Sequence, residues 1–152
     1  MNKYQNCGLY SSQSQSQVKE IDTDKSFFTV LEAVKEMVEF NFFEKADRET
    51  VSEICMIITE IFKLQGNYLV TIDGHDIQIA DVQDVFRLLR HEHIEMVLEN
   101  FKRVSYKVNH IKTYIRTALY NSVMEINQHY TNCVNSDICI PRKPVNRARR
   151  NV

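Results

Sequence analysis

The stretch "NYLVTIDGHDIQI", residues Asn67–Ile79, decides the fold class. Two short β-prone runs, Tyr68–Ile72 and His75–Ile79, flank the dipeptide Asp73-Gly74. A two-residue type I′ turn needs positive φ at both central positions, and Asp-Gly tolerates this, so the pattern predicts a hairpin. Period-two alternation puts Tyr68, Val70 and Ile72 on one face. An isolated two-stranded hairpin is marginal in water, so this one must pack on other elements.

Those elements read as helices. On the N-terminal side, Phe27, Val30, Leu31, Val34, Met37 and Val38 recur at three- and four-residue spacing. "NFFEKAD" (Asn41–Asp47) interrupts the pattern. A second helix then runs to about Leu64 on Val51, Ile54, Cys55, Ile58, Ile61 and Phe62, with Asp47 as its expected N-cap and Gly66 at its stop. On the C-terminal side, "ADVQDVFRLL" and "EHIEMVLENFKRV" carry two more amphipathic patterns. "NHIKTYIRTALYN" gives a further helix with Asn109 as N-cap, and a weaker one covers about Val123–Val134. The expected fold is mainly α, a compact bundle of five or six short helices with one β-hairpin at about residues 68–79. Residues 26–137 form this domain. A polar arm or linker (1–25), including the low-complexity "SSQSQSQ", precedes it, and a basic disordered tail (138–152) follows.

A chain of 152 residues fits one domain with tails, and 43% hydrophobic content provides a core. No apolar run reaches the roughly 18 residues of a membrane span. The N-terminus has no apolar stretch of signal-peptide type, so a cytoplasmic location is expected. Cys7, Cys55, Cys133 and Cys139 form no C-x-x-C pair and are expected to be reduced thiols. The net charge of −1 conceals a split: residues 1–100 sum to −9 and residues 101–152 to +8. Such asymmetry points the C-terminal third at an anion, a nucleic acid or an acidic protein surface, unless the two halves neutralise each other.

Enzyme signals are poor. The three glycines, Gly8, Gly66 and Gly74, are isolated, so no phosphate loop exists. Glu32, Glu36 and Glu39 fit the solvated face of an amphipathic helix. His91 and His93 point to different sides of a helix and read as surface or helix-start residues rather than metal ligands. Cys133 and Cys139 lack zinc-site spacing. No metal and no cofactor are expected.

The candidate binding residues are basic. In "YKVNHIKTYIRTALYN" (Tyr106–Asn121), Ile111, Ile115, Ala118 and Leu119 make an apolar stripe, while Lys112 and Arg116 share another face near Tyr120. Lys102, Arg103 and Lys107 extend the basic strip, and Tyr106 or Tyr120 offers stacking for exposed bases. Arg142, Lys143, Arg147, Arg149 and Arg150 make the tail a non-specific phosphate binder or a solvated segment. A basic amphipathic helix also suits an acidic protein partner.

A family resemblance runs through the same segments. "VKEMVEFNFF", "ETVSEICMIITEIF", "VTIDGHDIQIADVQDVFRLL", "HIEMVLENFKRVSYKVNHIKTYIRTALYNS" and "INQHYTNCVNSD" follow in order, covering about 110 of 152 residues from Phe28 to Asp137. Together they resemble the C-terminal domain of RepA-type replication initiators of Gram-positive plasmids and conjugative elements. "VNHIKTYIRTALYN" is the most specific piece, similar to an Asn-Ile-x-x-Tyr-Leu-x-x-x-Leu-Tyr-Asn pattern. The DNA-binding winged-helix domain that begins such initiators has no counterpart here, so a stand-alone module or a truncated remnant is expected. The resemblance implies a non-enzymatic accessory module of plasmid or mobile-element DNA replication, contacting DNA or a host replication protein. The competing expectation is a protein-interaction or homo-oligomerisation module without nucleic-acid affinity.

Overall fold

The computed structural model describes residues 20–104 and 110–139, with only the backbone for residues 134–139. Among these residues the chain forms five α-helices, one 3-10 turn and one antiparallel hairpin. The helices are α1 (Phe27–Met37), α2 (Arg48–Lys63), α3 (Ile79–Phe86), α4 (His91–Val104) and α5 (Ile111–Cys139). The strands β1 (Leu69–Ile72) and β2 (His75–Gln78) lie between α2 and α3. The mainly α architecture with one hairpin is therefore as expected from the sequence.

The turn chemistry places the hairpin. Asp73 and Gly74 both have positive φ, 50° and 77°, as a type I′ turn requires. The register pairs Ile72 with His75 and Val70 with Ile77. Val70 and Ile72 are buried, whereas Tyr68 is exposed. β1 rests on α5 and β2 on α3, which provides the packing that a lone hairpin lacks.

Helix α2 is the centre of the core. It packs against α1, α3, α4 and α5. Ile54, Ile58, Ile61 and Phe62 on this helix are among the largest fully buried side chains, and each contributes about 1.5–3 kcal/mol of burial free energy. Its C-terminal carbonyls are satisfied by a neighbour: Gln83 Nε2 donates to Ile61 O and Leu64 O, both at 2.9 Å. Lys63 Nζ donates to Thr23 O and Lys25 O, fixing the chain that leads into α1. Ser26 caps α1 by accepting from the Thr29 N–H. Cys55 is fully buried, and desolvation pushes its thiol up to about 12, so it is an unreactive core group.

Three local expectations change. Asp47 occupies the N-cap position of α2, but its side chain makes no cap hydrogen bond; it instead holds Lys102. The two helices expected over 109–121 and 123–134 are one helix, α5. No glycine or proline interrupts residues 111–139, so nothing ends the helix between Asn121 and Val123. Its core stripe is Ile115, Leu119 and Val123, all buried, while Ile111 is 47% exposed. Asn109 and its expected cap lie outside the described residues.

His93 is the third change. It lies at the start of α4, one of the two positions expected, but is buried, at 4% exposure, rather than at the surface. The Arg90 N–H donates to its Nδ1 at 3.0 Å, so His93 serves α4 as the third-position partner of a capping box. Desolvation lowers its pKa below the ordinary histidine value, and the accepting nitrogen requires the neutral ring. The unfolded chain therefore binds a proton more readily than the folded one. Stability is full above the unfolded value of about 6.5 and falls as pH drops below it. His93→Gln keeps an acceptor at the capping position and is expected to flatten this acid sensitivity. Urea unfolding from pH 7.5 to 5 measures it; equal pH slopes in both proteins would exclude His93 as the cause.

Candidate functional site

The expected basic strip lies on α4 and α5, and the structure pairs most of its described members internally. Lys112 Nζ lies 2.8 Å from Glu60 Oε1, and Arg116 Nη2 lies 3.5 Å from Glu60 Oε2. One carboxylate on α2 thus bridges two cations a helical turn apart on α5. Lys112 remains 63% exposed, whereas Arg116 is 28% exposed. The Arg116 Nε is buried without a hydrogen-bond partner, so this guanidinium is held by packing as well as by charge. Lys102 Nζ lies 2.8 Å from Asp47 Oδ1 and ties α4 to the start of α2. Arg103 is exposed and has no ion-pair partner among the described residues.

Tyr120 is half-buried and packs on the core, which leaves it little face for stacking. Tyr106 and Lys107 lie outside the described residues, as do Arg142, Lys143, Arg147, Arg149 and Arg150 of the tail. Of the described site residues, Lys112 and Arg116 come together. Lys102 and Arg103 follow on α4, which packs along α5. The charge split allowed for neutralisation between the two parts but did not single out Glu60, whose partners lie 52 and 56 positions away.

Beside the strip, α4, α5 and the hairpin turn enclose a polar groove of about 310 Å³. Asn100, Tyr114, Thr117, Asn121 and Glu125 line it, with Asp73 at the turn. Asn121 Nδ2 donates to Asp73 Oδ2 at 2.8 Å, joining α5 to the hairpin. Ser122 donates to Leu119 O within its own helix. None of the lining side chains forms a nucleophile–base pair. A larger groove of about 470 Å³ lies against α1, between acidic residues such as Asp22 and Glu36 and the guanidiniums of Arg87 and Arg90. Both arginines also serve the fold: Arg90 donates to Arg87 O and Leu89 O at the end of α3, and Arg87 lies over the Phe62 ring.

The far end of α5 differs from the rest. Among the residues described with side chains, Val123 is the last buried one on it, and residues 127–133 are all exposed. The helix thus continues past the domain body. On this end the Cys133 Sγ and the His129 Nε2 lie 3.6 Å apart, within hydrogen-bond reach. The i,i+4 spacing of these two residues was a sequence signal, overlooked because neither belongs to a four-ligand motif. Among the described residues, no three His, Cys, Asp or Glu side chains gather as a metal cluster. No helix among them is long and apolar enough to cross a membrane.

No curated protein and no solved structure is significantly similar to this chain. Residues 14–140 match the family described as a family of unknown function (DUF6017), a match that includes all five helices. The chain belongs to the DUF6017 family.

Proposed function

We propose that this domain is a non-enzymatic interaction module that docks a protein partner through the exposed end of α5, in the setting of plasmid or mobile-element DNA replication. The replication setting rests on the sequence resemblance alone. The observation that carries the docking role is a helix that runs beyond its own core with residues 127–133 exposed. A short helical segment without tertiary packing is marginal in water, so a partner surface would stabilise this end.

The internal pairing of Lys102, Lys112 and Arg116 favours a protein partner over the phosphate backbone. A phosphate would have to compete with Glu60 and Asp47 for these cations. The DNA alternative retains Arg103 and the exposed part of Lys112 as its described contacts.

Fluorescence anisotropy with labelled single- and double-stranded DNA, at two salt concentrations, separates the two. The protein is used whole and ended after Cys139. The shorter chain is expected to show no salt-dependent binding, and any DNA affinity of the whole chain is expected to come from its tail. Binding by the shorter chain that weakens steeply with salt, and weakens again in Arg103→Glu, would replace the protein-docking role with a DNA-binding one.

A further inference from the structure

We infer that His129 and Cys133 form half of a zinc-type metal site on the exposed end of α5, completed by the same two residues of a second copy of the chain. This names a partner for the helix end and so rests on the interaction role proposed above.

The geometry of the pair suits a chelate. Tetrahedral zinc, with Zn–S of about 2.3 Å and Zn–N of about 2.0–2.1 Å, places its sulfur and nitrogen ligands roughly 3.5–3.6 Å apart. The Cys133 Sγ and His129 Nε2 already stand 3.6 Å apart. One ion can therefore sit between them and displace the thiol proton with little movement of either side chain. Coordination releases that proton to solvent, leaving a thiolate and a neutral imidazole whose other nitrogen carries hydrogen. Both ligand types suit zinc, cobalt(II) and similar thiophilic cations.

A single helix cannot finish the site. An ion midway between the two lies about 3 Å along the axis from each, whereas the next position on the same face, a further turn away, lies about 9 Å from it. Among the described residues, no third His, Cys, Asp or Glu side chain joins the pair. His129 lies about 9 Å, and Cys133 about 15 Å, along the axis beyond Val123, the last buried residue among those described with side chains. That distance leaves room for a second helix to cross the first while the two bodies stay apart. Two such helices around a two-fold axis through the metal give two sulfur and two nitrogen ligands, the usual closed set for zinc. The charges balance, because two thiolates offset one divalent cation. Tyr130, 60% exposed, lies beside the ligands and adds some apolar contact, with its ring centroid 6.3 Å from that of His129. The contact surface is small, so dimerisation is expected only with metal bound.

The test is a cobalt(II) titration of the whole, tag-free chain under reducing conditions, followed by light scattering after gel filtration. The expected result is a tetrahedral visible spectrum with sulfur-to-cobalt charge transfer, saturating at one ion per two chains. The mass should double, and zinc should displace the cobalt signal. His129→Ala and Cys133→Ser each should weaken binding by more than the roughly 10–100-fold that follows loss of an outer-sphere partner. Both positions are exposed, so helical circular dichroism should be unchanged in these variants. Cys139→Ser should bind as the parent does. An octahedral spectrum, saturation at one ion per chain without dimers, or undiminished binding by Cys133→Ser would overturn the shared site. None of those failures alters the DNA titration that tests the interaction role, so the two fail separately.

Discussion

Leu119→Ala is expected to lower the unfolding free energy by about 2–5 kcal/mol, the range for a buried leucine whose cavity only partly collapses. Leu119 is fully buried on α5, between Ile115 and Val123. That helix touches α2, α3, α4 and β1, so the cavity would open where several elements meet. Ile111→Ala on the same helix should cost much less, because Ile111 is 47% exposed and the water it displaces is already nearby. Urea denaturation measures both, read as a shift in midpoint at constant slope. If Ile111→Ala proved the more damaging, the core stripe of α5 would be misplaced by a turn.

Reversing both charges, Lys112→Glu with Arg116→Glu, is expected to destabilise the fold by about 1–2 kcal/mol at low salt. Three carboxylates would then meet where Glu60 now holds two cations. The figure is kept small because Lys112 is mostly exposed and its share is screened by solvent. Added salt should reduce the penalty. Adding Glu60→Lys to the double variant should recover more than half of the loss, since it restores opposite charges across the α2–α5 contact. Full stability of the double variant at low salt would show that the clasp contributes nothing. The consequence for function is direct: this double reversal tests the fold as well as binding, and Arg103→Glu is the cleaner probe of a basic surface.

Local signals in the chain accounted for the elements. Asp73-Gly74 specified the hairpin turn, because few dipeptides accept two positive φ values in succession. The three- and four-residue recurrence in Val51–Phe62 specified α2 and its buried face. Ser26 ahead of Phe27 capped α1, and Gly66, at φ 94°, follows the end of α2. Each depends on neighbours within about one turn, which is the range over which backbone sterics and side-chain spacing act.

Candidate sites were less legible. Lys112 and Arg116 form a basic strip on any helical projection, yet the fold brings Glu60 against them across more than fifty residues. His93 read as a surface or helix-start histidine; the fold places it at the start of α4 and turns it inward as a capping partner. The boundary at Asn121–Val123 vanished because apolar periodicity weakened there without any residue that stops a helix. Composition and short-range spacing determined by themselves that this chain forms amphipathic helices around one hairpin, and that its charge is divided between its two parts. Only the tertiary structure decided which cations are neutralised, which histidine is buried and which end of α5 is left outside the core. Those outcomes depend on contacts between residues far apart in sequence, where burial and Coulomb energy, rather than local backbone preference, set the result.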